Sequence, residues 1–443
     1  MLLKRTVETM LPRGLGRMLV TFAIAVLLVP SSWGIKSGKE HKFTGSPDGS
    51  EPSTGLVSDG AGNFYGTTEG GGLTGCGFSA PFCGTVFKVT PGSSGSFTES
   101  VIYKFKGGND GAGPSGTLVF DGAGNLYGTT LTGGSDLCNN EGCGTVFELS
   151  PNSNGGWTET VLYRFAGSTD VQQPASGVIF DADGNLYGAG GGGCIEECNG
   201  VIFKLAPSGD GIWTESILYN FLGGLDGSAP SAVIFDGTGN LLGTTASGGG
   251  PNTICDCGTV YQLSPSSSGS WTKTVLYSFD DGLGGGSPSS PVMFDKNGNL
   301  FGETYDGGSF ACPQSGCGVV YELTPESGSW KFSVAHTFNG VNGAKGAQPS
   351  GGLGMDSQGN IYGMTGNGGD LTCNNGNGCG TVFELSPRTG GGFAFGMLYA
   401  FTGATGADPN GGVIADAAGN LYGTTFAGGA SACNCGVVFA IEP

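Results

Sequence analysis

Gly116-Thr117-Leu118-Val119-Phe120-Asp121, Gly124-Asn125-Leu126-Tyr127-Gly128-Thr129-Thr130 and Gly144-Thr145-Val146-Phe147-Glu148-Leu149 follow one another in a single unit. A cysteine-bearing loop precedes the third segment. Ser150-Pro151 and the stretch from Trp157 to Phe165 complete it. The aspartate ending the first segment returns at Asp59, Asp181, Asp236, Asp295, Asp356 and Asp416, so the chain carries seven copies of about sixty residues each. A repeat of this period is architecture before it is chemistry, because each copy must bury its apolar face against the next.

Every copy holds four strand candidates. The first, such as Val178-Ile179-Phe180, is short and apolar throughout, as a strand buried on both faces would be. Asp-x-x-Gly-Asn then reads as a hairpin turn, with Asp capping turn amides and Gly-Asn tolerating positive φ. Leu-Tyr-Gly-Thr-Thr is the second strand. Gly-Thr-Val-Phe-x-Leu is the third, ended by Ser-Pro or Thr-Pro, and the fourth runs from an aromatic to a Phe eight residues on. Four antiparallel strands repeated seven times predict an all-β fold, a seven-bladed β-propeller. The chain ends after a third strand at Val437-Val438-Phe439-Ala440-Ile441, and a lone fourth-strand remnant ending His41-Lys42-Phe43 precedes the first full copy. The N-terminal strand is therefore expected to complete the seventh blade and remove an exposed edge. A glycine recurs at the centre of every second strand (Gly66, Gly128, Gly188, Gly243, Gly302, Gly363, Gly423), which predicts pressure on the backbone there from a neighbouring blade's aromatic ring.

Composition agrees with an exported protein. Lys4, Arg5, Arg13 and Arg17 precede an uncharged run from Met18 to Val29, and small residues follow. Residues 1–34 read as a signal peptide, with an uncleaved anchor as the alternative, and residues 35–443 as one propeller. Without the first 34 residues the chain has 13 basic and 35 acidic residues, a net charge of −22. That balance disfavours nucleic acid and anionic membranes as partners.

All 14 cysteines lie between second and third strands, two per copy: Cys76/Cys83, Cys138/Cys143, Cys194/Cys198, Cys255/Cys257, Cys312/Cys317, Cys373/Cys379 and Cys433/Cys435. An even count at one repeated place predicts seven local disulfides rather than thiolate metal sites, whose spacing would not vary so widely. The two Cys-x-Cys pairs are the tightest rings.

This loop and the loop joining the fourth strand to the next unit should share one face, where long polar loops suit binding. A residue present in all seven copies is scaffold, so candidates come from departures. These are Glu196 and Glu197 in copy three and Glu303, Tyr305 and Asp306 in copy five. Clustered acids could serve acid/base chemistry or hold a metal, and Phe78, Phe82, Phe310 and Phe426 join Tyr305 as aromatics for stacking on a sugar. The Asp turns resemble calcium loops only in part, since Asp181-Ala182-Asp183-Gly184-Asn185 lacks the other ligand positions. His41 and His336 stand where other copies have tyrosine and read as packed strand residues. No loop histidine is available for a Ser-His-Asp site.

The combination of Gly-Asn-Leu-Tyr-Gly-Thr-Thr with Gly-Thr-Val-Phe-x-Leu resembles the GloVer (Gloeo/Verruco) tandem repeat of exported bacterial proteins, closely at residues 124–130, 144–149 and 419–425. The resemblance spans residues 35–443. It implies an exported, extracellular or surface protein and brings no catalytic residues or cofactor. More loosely, Asp-x-x-Gly-Asn-Leu-Tyr is similar to propellers of the NHL and SMP-30 types, some of which are metal-using lactonases or lyases. The first strands here, such as Ser231-Ala232-Val233-Ile234-Phe235, lack the acids such a metal needs. The expectation is a monomeric, non-enzymatic binding or structural propeller facing an extracellular glycan, peptide or protein; the alternative is a metal-assisted hydrolase or lyase with an acidic site on the loop face.

Overall fold

The computed structural model describes residues 36–442 apart from 77–81, 93–95, 139, 168–169, 193–198, 251–255, 289, 313–314, 341–345 and 430–432. Among the described residues the strands form seven separate antiparallel sheets, with no α-helix. In blade two the strands are Ala112–Phe120, Leu126–Thr132, Thr145–Pro151 and Trp157–Arg164, in that order from inside to outside. Blade four splits its inner strand into Ser228–Pro230 and Ile234–Phe235, both paired with Leu241–Ser247.

Closure follows the sequence expectation. Lys36–Lys42 pairs antiparallel with Val437–Glu442, placing His41 opposite Val438 and Lys42 opposite Val437. That strand completes the sheet formed by Val413–Ala415, Leu421–Thr425 and Val437–Glu442.

One packing unit repeats at all seven blade interfaces. The Phe just after each fourth strand meets edge-on the aromatic at the middle of the next blade's third strand. Phe105 meets Phe147, Phe165 meets Phe203, Phe221 meets Tyr261, Phe279 meets Tyr321, Phe338 meets Phe383 and Phe401 meets Phe439. Phe43 meets Phe87 across the closure. All centroids lie 5.0–5.2 Å apart. Each such pair adds about 0.5–1.5 kcal/mol beyond the area it buries.

This ring of aromatics corrects the expectation for the central glycine. A Cβ on Gly128 would lie 2.6 Å from Cζ of Phe147, which is on the adjoining strand of the same blade, and 2.7 Å from Cδ2 of Leu118. Glycine leaves room for the blade's own ring, and that ring receives the neighbour's edge on its far side. The inner strands also differ from expectation. Val178 is buried, but Ile179, which lines the central channel, and Phe180, which packs edge-on to Tyr127, are only half-buried.

Between third and fourth strands the register slips once in each of the first six blades, as between Val146 and Phe147. Val161 pairs with Phe147 and Tyr163 with Val146, so Leu162 is the extra residue. A bulge of this kind redirects side chains along a strand. Without it Tyr163 would share the face of Glu159; with it Tyr163 points toward blade three.

Candidate functional site

The Asp-x-x-Gly-Asn turns on one face are closed on themselves. In Asp121 the Oδ1 accepts the amides of Ala123 at 2.9 Å and Asn125 at 2.8 Å, and Oδ2 accepts Asn125 Nδ2 at 2.8 Å and the Tyr127 hydroxyl at 3.2 Å. Partial burial opposes ionisation, but these donors outweigh it and hold the carboxyl below its ordinary value. Asp181 is bound in the same way by Asp183, Asn185 and Tyr187. Its oxygens are those of a turn cap.

The other face is built from the cysteine loops. Disulfides join Cys76–Cys83, Cys138–Cys143, Cys312–Cys317, Cys373–Cys379 and Cys433–Cys435, and Cys257 is also disulfide-bonded. Cys194, Cys198 and Cys255 lie outside the described residues. The second cysteine of a loop also grips the next blade. Its carbonyl accepts an amide from the residue preceding a proline: Gly113 to Cys83, Gln173 to Cys143, Ser287 to Cys257, Gln348 to Cys317, Asp408 to Cys379 and Glu51 to Cys435, at 2.8–3.2 Å. In blade three Asn199 takes the cysteine's place, bonded to Ala229. All seven donor residues have positive φ, between 46° and 60°. That geometry costs a non-glycine residue energy and persists because the bond and the proline hold it. Sequence reading placed these loops on one face but not their bonds to the following blade; the recurring proline was the available signal.

These seven clamps surround the mouth of a central channel of about 710 Å³. Its wall is mostly small or backbone-presenting: Ser53, Ser115, Ser176, Ser231, Ser290 and Ser350 from six blades, with Asn410 from the seventh. Leu131 and Glu69 stand near the loop-face end. Burial raises the Glu69 carboxyl, opposed by the Ser53 hydroxyl it accepts and aided by Glu51. Burial likewise raises Asp408.

The sequence-predicted candidates separate. Glu196 and Glu197 lie outside the described residues. Glu303 is on a second strand and only 2 % exposed, so it belongs to the propeller wall and not to the loop surface. Its Oε1 accepts Ser290 Oγ and the Gly352 amide, both at 2.8 Å, while Oε2 is buried without a protein partner. Burial pushes this carboxyl up to about 7 against those two donors. Threonine occupies the position in four other blades, with Ala189 and Met364 in the remaining two. Thr129, Thr244 and Thr424 tie neighbouring inner strands together, as Thr129 does with the carbonyls of Ser115 and Ser176. Glu303 makes the equivalent tie between Ser290 and blade six. Tyr305 and Asp306 do lie on the loop side. Tyr305 is 39 % exposed, and Asp306 accepts the Ser315 hydroxyl. Glu303 and Asp306 therefore have separate partners in separate settings. Phe82 and Phe310 are exposed on the loop face, Phe426 is half-buried, and Phe78 lies outside the described residues. His336 stacks on Phe395 at 4.3 Å and His41 packs edge-on to Phe43, as strand residues should.

Fold and repeat define the class, a disulfide-stapled seven-bladed propeller. The Gloeobacter/Verrucomicrobia repeat matches residues 34–194, 132–377 and 191–439, and the chain belongs to that family. No curated protein sequence matches it. Solved structures with similar folds include a PL25 ulvan lyase bound to its saccharide (12% identity, 87% of this chain and 93% of that one, TM-score 0.50). Also similar are PorZ, a surface component of the Porphyromonas gingivalis type-IX secretion system (13%, 83% and 44%, 0.44), and a luciferin-regenerating enzyme (12%, 81% and 98%, 0.42). At these identities the likeness is one of fold.

Proposed function

We propose that this protein is an exported, non-enzymatic binding propeller that holds an extracellular protein or peptide on its cysteine-loop face. The carrying observation is where large apolar side chains meet solvent. Leu73, Leu137, Leu222, Leu225, Leu283, Phe310 and Leu371 are 41–75 % exposed and all stand on loops of that face. Among the described residues, the comparable residue on the opposite face is Ile212, on the turn that follows Ala206-Pro207. Large exposed apolar groups concentrated on one face and set among polar ones favour that face for interaction. Disulfides and interblade clamps hold the loops in place, which lowers the entropy lost on binding. Six local disulfide-bonded loops also suit an oxidising compartment.

The metal-assisted hydrolase or lyase reading has less support, because Glu303 and Asp306 do not converge on a common space. A glycan is the second reading for the same face, on exposed Phe310 and Tyr305 and the saccharide bound by the ulvan lyase of similar fold. The test is a binding screen of residues 35–443 against extracellular peptide and glycan libraries. Leu225→Asp and Phe310→Asp should weaken the interaction at least tenfold, and Ile212→Asp should leave it unchanged. Equal effects on both faces would defeat the proposal, as would turnover that requires a divalent ion and disappears in Glu303→Ala.

A further inference from the structure

A contact at the outer edge of the blade interfaces varies in a correlated way around the ring. It pairs the residue five after each interface Phe with a fourth-strand residue of the next blade. Where the loop residue is aspartate, its partner is charged: Asp48 faces Glu99, Asp110 faces Glu159, Asp170 faces Glu215 and Asp226 faces Lys273. Where it is Gly284, the partner is Phe332, which stacks on Tyr277 at 3.9 Å. The acidic partner thus occurs opposite an acid, and a glutamate there is not random surface drift.

The aspartates are built alike. An amide four residues earlier binds the carboxylate in each: Thr44 to Asp48, Lys106 to Asp110, Ala166 to Asp170 and Leu222 to Asp226, at 2.8–3.0 Å. The tyrosine redirected by the strand bulge binds three of them, Tyr103 at 2.6 Å, Tyr163 at 3.5 Å and Tyr219 at 2.8 Å. At the Asp226 site the contact is satisfied by a cation. The Lys273 ammonium lies 3.0 Å from Asp226 Oδ1 and over the ring of Phe221. At the other three sites the next blade offers a carboxyl group whose Oε1 is buried with no donor from elsewhere in the protein. Glu159 and Glu215 reach Asp110 and Asp170 within hydrogen-bonding range, and Glu99 faces Asp48 through charge. Two ionised carboxylates cannot share such a contact without large cost. A proton between them supplies the donor that lysine supplies at the fourth site.

We propose that the interfaces of blades seven–one, one–two and two–three are proton-held latches, each closed by a carboxylic acid–carboxylate hydrogen bond and weakened when the proton leaves. The surroundings of each pair are few. Around Glu99 stand Asp48, Lys104 and, beside Asp48, His41. Around Glu159 stand Asp110, Lys106, Arg164 and Tyr103. Around Glu215 stand Asp170 and Tyr163. Burial, then the facing aspartate, raises Glu99 and Glu159 to about 7 against the nearby cations, and Glu215 is raised further with no cation beside it.

Acids raised above their unfolded value of 4.5 make the native chain hold protons that the unfolded chain has released. Stability therefore falls as pH rises from about 4.5 through 7, and Glu215 continues the decline above that. Each proton held changes the folding constant by at most about tenfold per pH unit, with solvent screening at these partly open sites reducing it. The proton reading places the protein's stability maximum in mild acid and its first point of loosening at the ring closure and the two following interfaces.

The experiment is urea unfolding of residues 35–443 between pH 4.5 and 9, beside the triple variant Glu99→Gln, Glu159→Gln, Glu215→Gln. The glutamine amide donates to aspartate without titrating. Wild type should lose stability steadily over this range, and the triple variant should be flatter and more stable at pH 8. Parallel curves, or a wild type indifferent to pH, would overturn the proposal. If the triple variant does not fold, Lys273→Glu decides, since a fourth acid pair must steepen the decline. Millimolar calcium that stabilises wild type at pH 8 but not Glu215→Gln would also overturn it, by making the pairs cation sites.

Discussion

Phe43 provides the sharpest test of how this propeller closes. Its ring is fully buried, 5.0 Å from Phe87 of blade one, within a cluster that includes Leu56, Phe64, Tyr422 and Val438. Phe43→Ala removes the ring and leaves a cavity that rigid strands on both sides cannot collapse into. Such a change costs about 3–5 kcal/mol, a large part of the roughly 5–15 kcal/mol that holds a domain folded. Phe165→Ala is the internal control, because Phe165 is equally buried and meets Phe203 in the same geometry at an interface within the continuous chain. Urea unfolding followed by tryptophan fluorescence would report both changes, with the slope of the transition checking that the same surface is exposed. The two variants should lose similar stability. A loss below about 1 kcal/mol for Phe43→Ala beside a full loss for Phe165→Ala would refute the reasoning, since the N-terminal strand would then add little to the folded ring.

Gly128→Ala should cost about 1–3 kcal/mol by overpacking Phe147 and Leu118, while Gly396→Ala, with open space at its Cβ, should change stability little; equal losses in circular-dichroism melts would contradict the packing account. Denatured, unreduced protein should show no free thiol, and Cys138→Ser with Cys143→Ser should lower stability by about 2 kcal/mol, the chain-entropy value for a short ring; thiol titration and urea unfolding check these. The turn aspartates set the acid limit: Asp121, Asp181, Asp356 and Asp416 have carboxyls below the ordinary 3.8, so their contribution is present above that pH and is lost as pH falls through their folded values. Asp121→Asn should therefore make an acid titration of stability shallower below about pH 4. Tyr65 and Tyr422, raised to about 12 by burial and the facing Asp carboxylates, should remain un-ionised in the native protein until that pH, followed by absorbance at alkaline pH.

Some of this protein can be read along the chain because the determinants are local. Asp121, Gly124 and Asn125 make their turn within five residues, and Cys138 finds Cys143 without help from the rest of the fold. Short apolar segments between turn signals, repeated seven times, specify blades, and a lone fourth-strand segment before the first full copy beside a third strand with no fourth in the last copy points to closure. Other features depend on atoms brought together from distant units. Glu303 looks in sequence like an acid added to a loop, yet it stands buried in the wall and bonds to Ser290 and Gly352. The central glycines predict a close ring but not whose ring it is, since that depends on the register of two paired strands. The pairing of Asp48, Asp110 and Asp170 with Glu99, Glu159 and Glu215 was invisible for the same reason: the partners lie about fifty residues apart, and a bulge decides which face of the fourth strand each side chain takes. Local hydrogen-bonding and periodicity determined the repeat, its turns and its staples; the meeting of one blade's face with the next decided where charges are buried and what holds them.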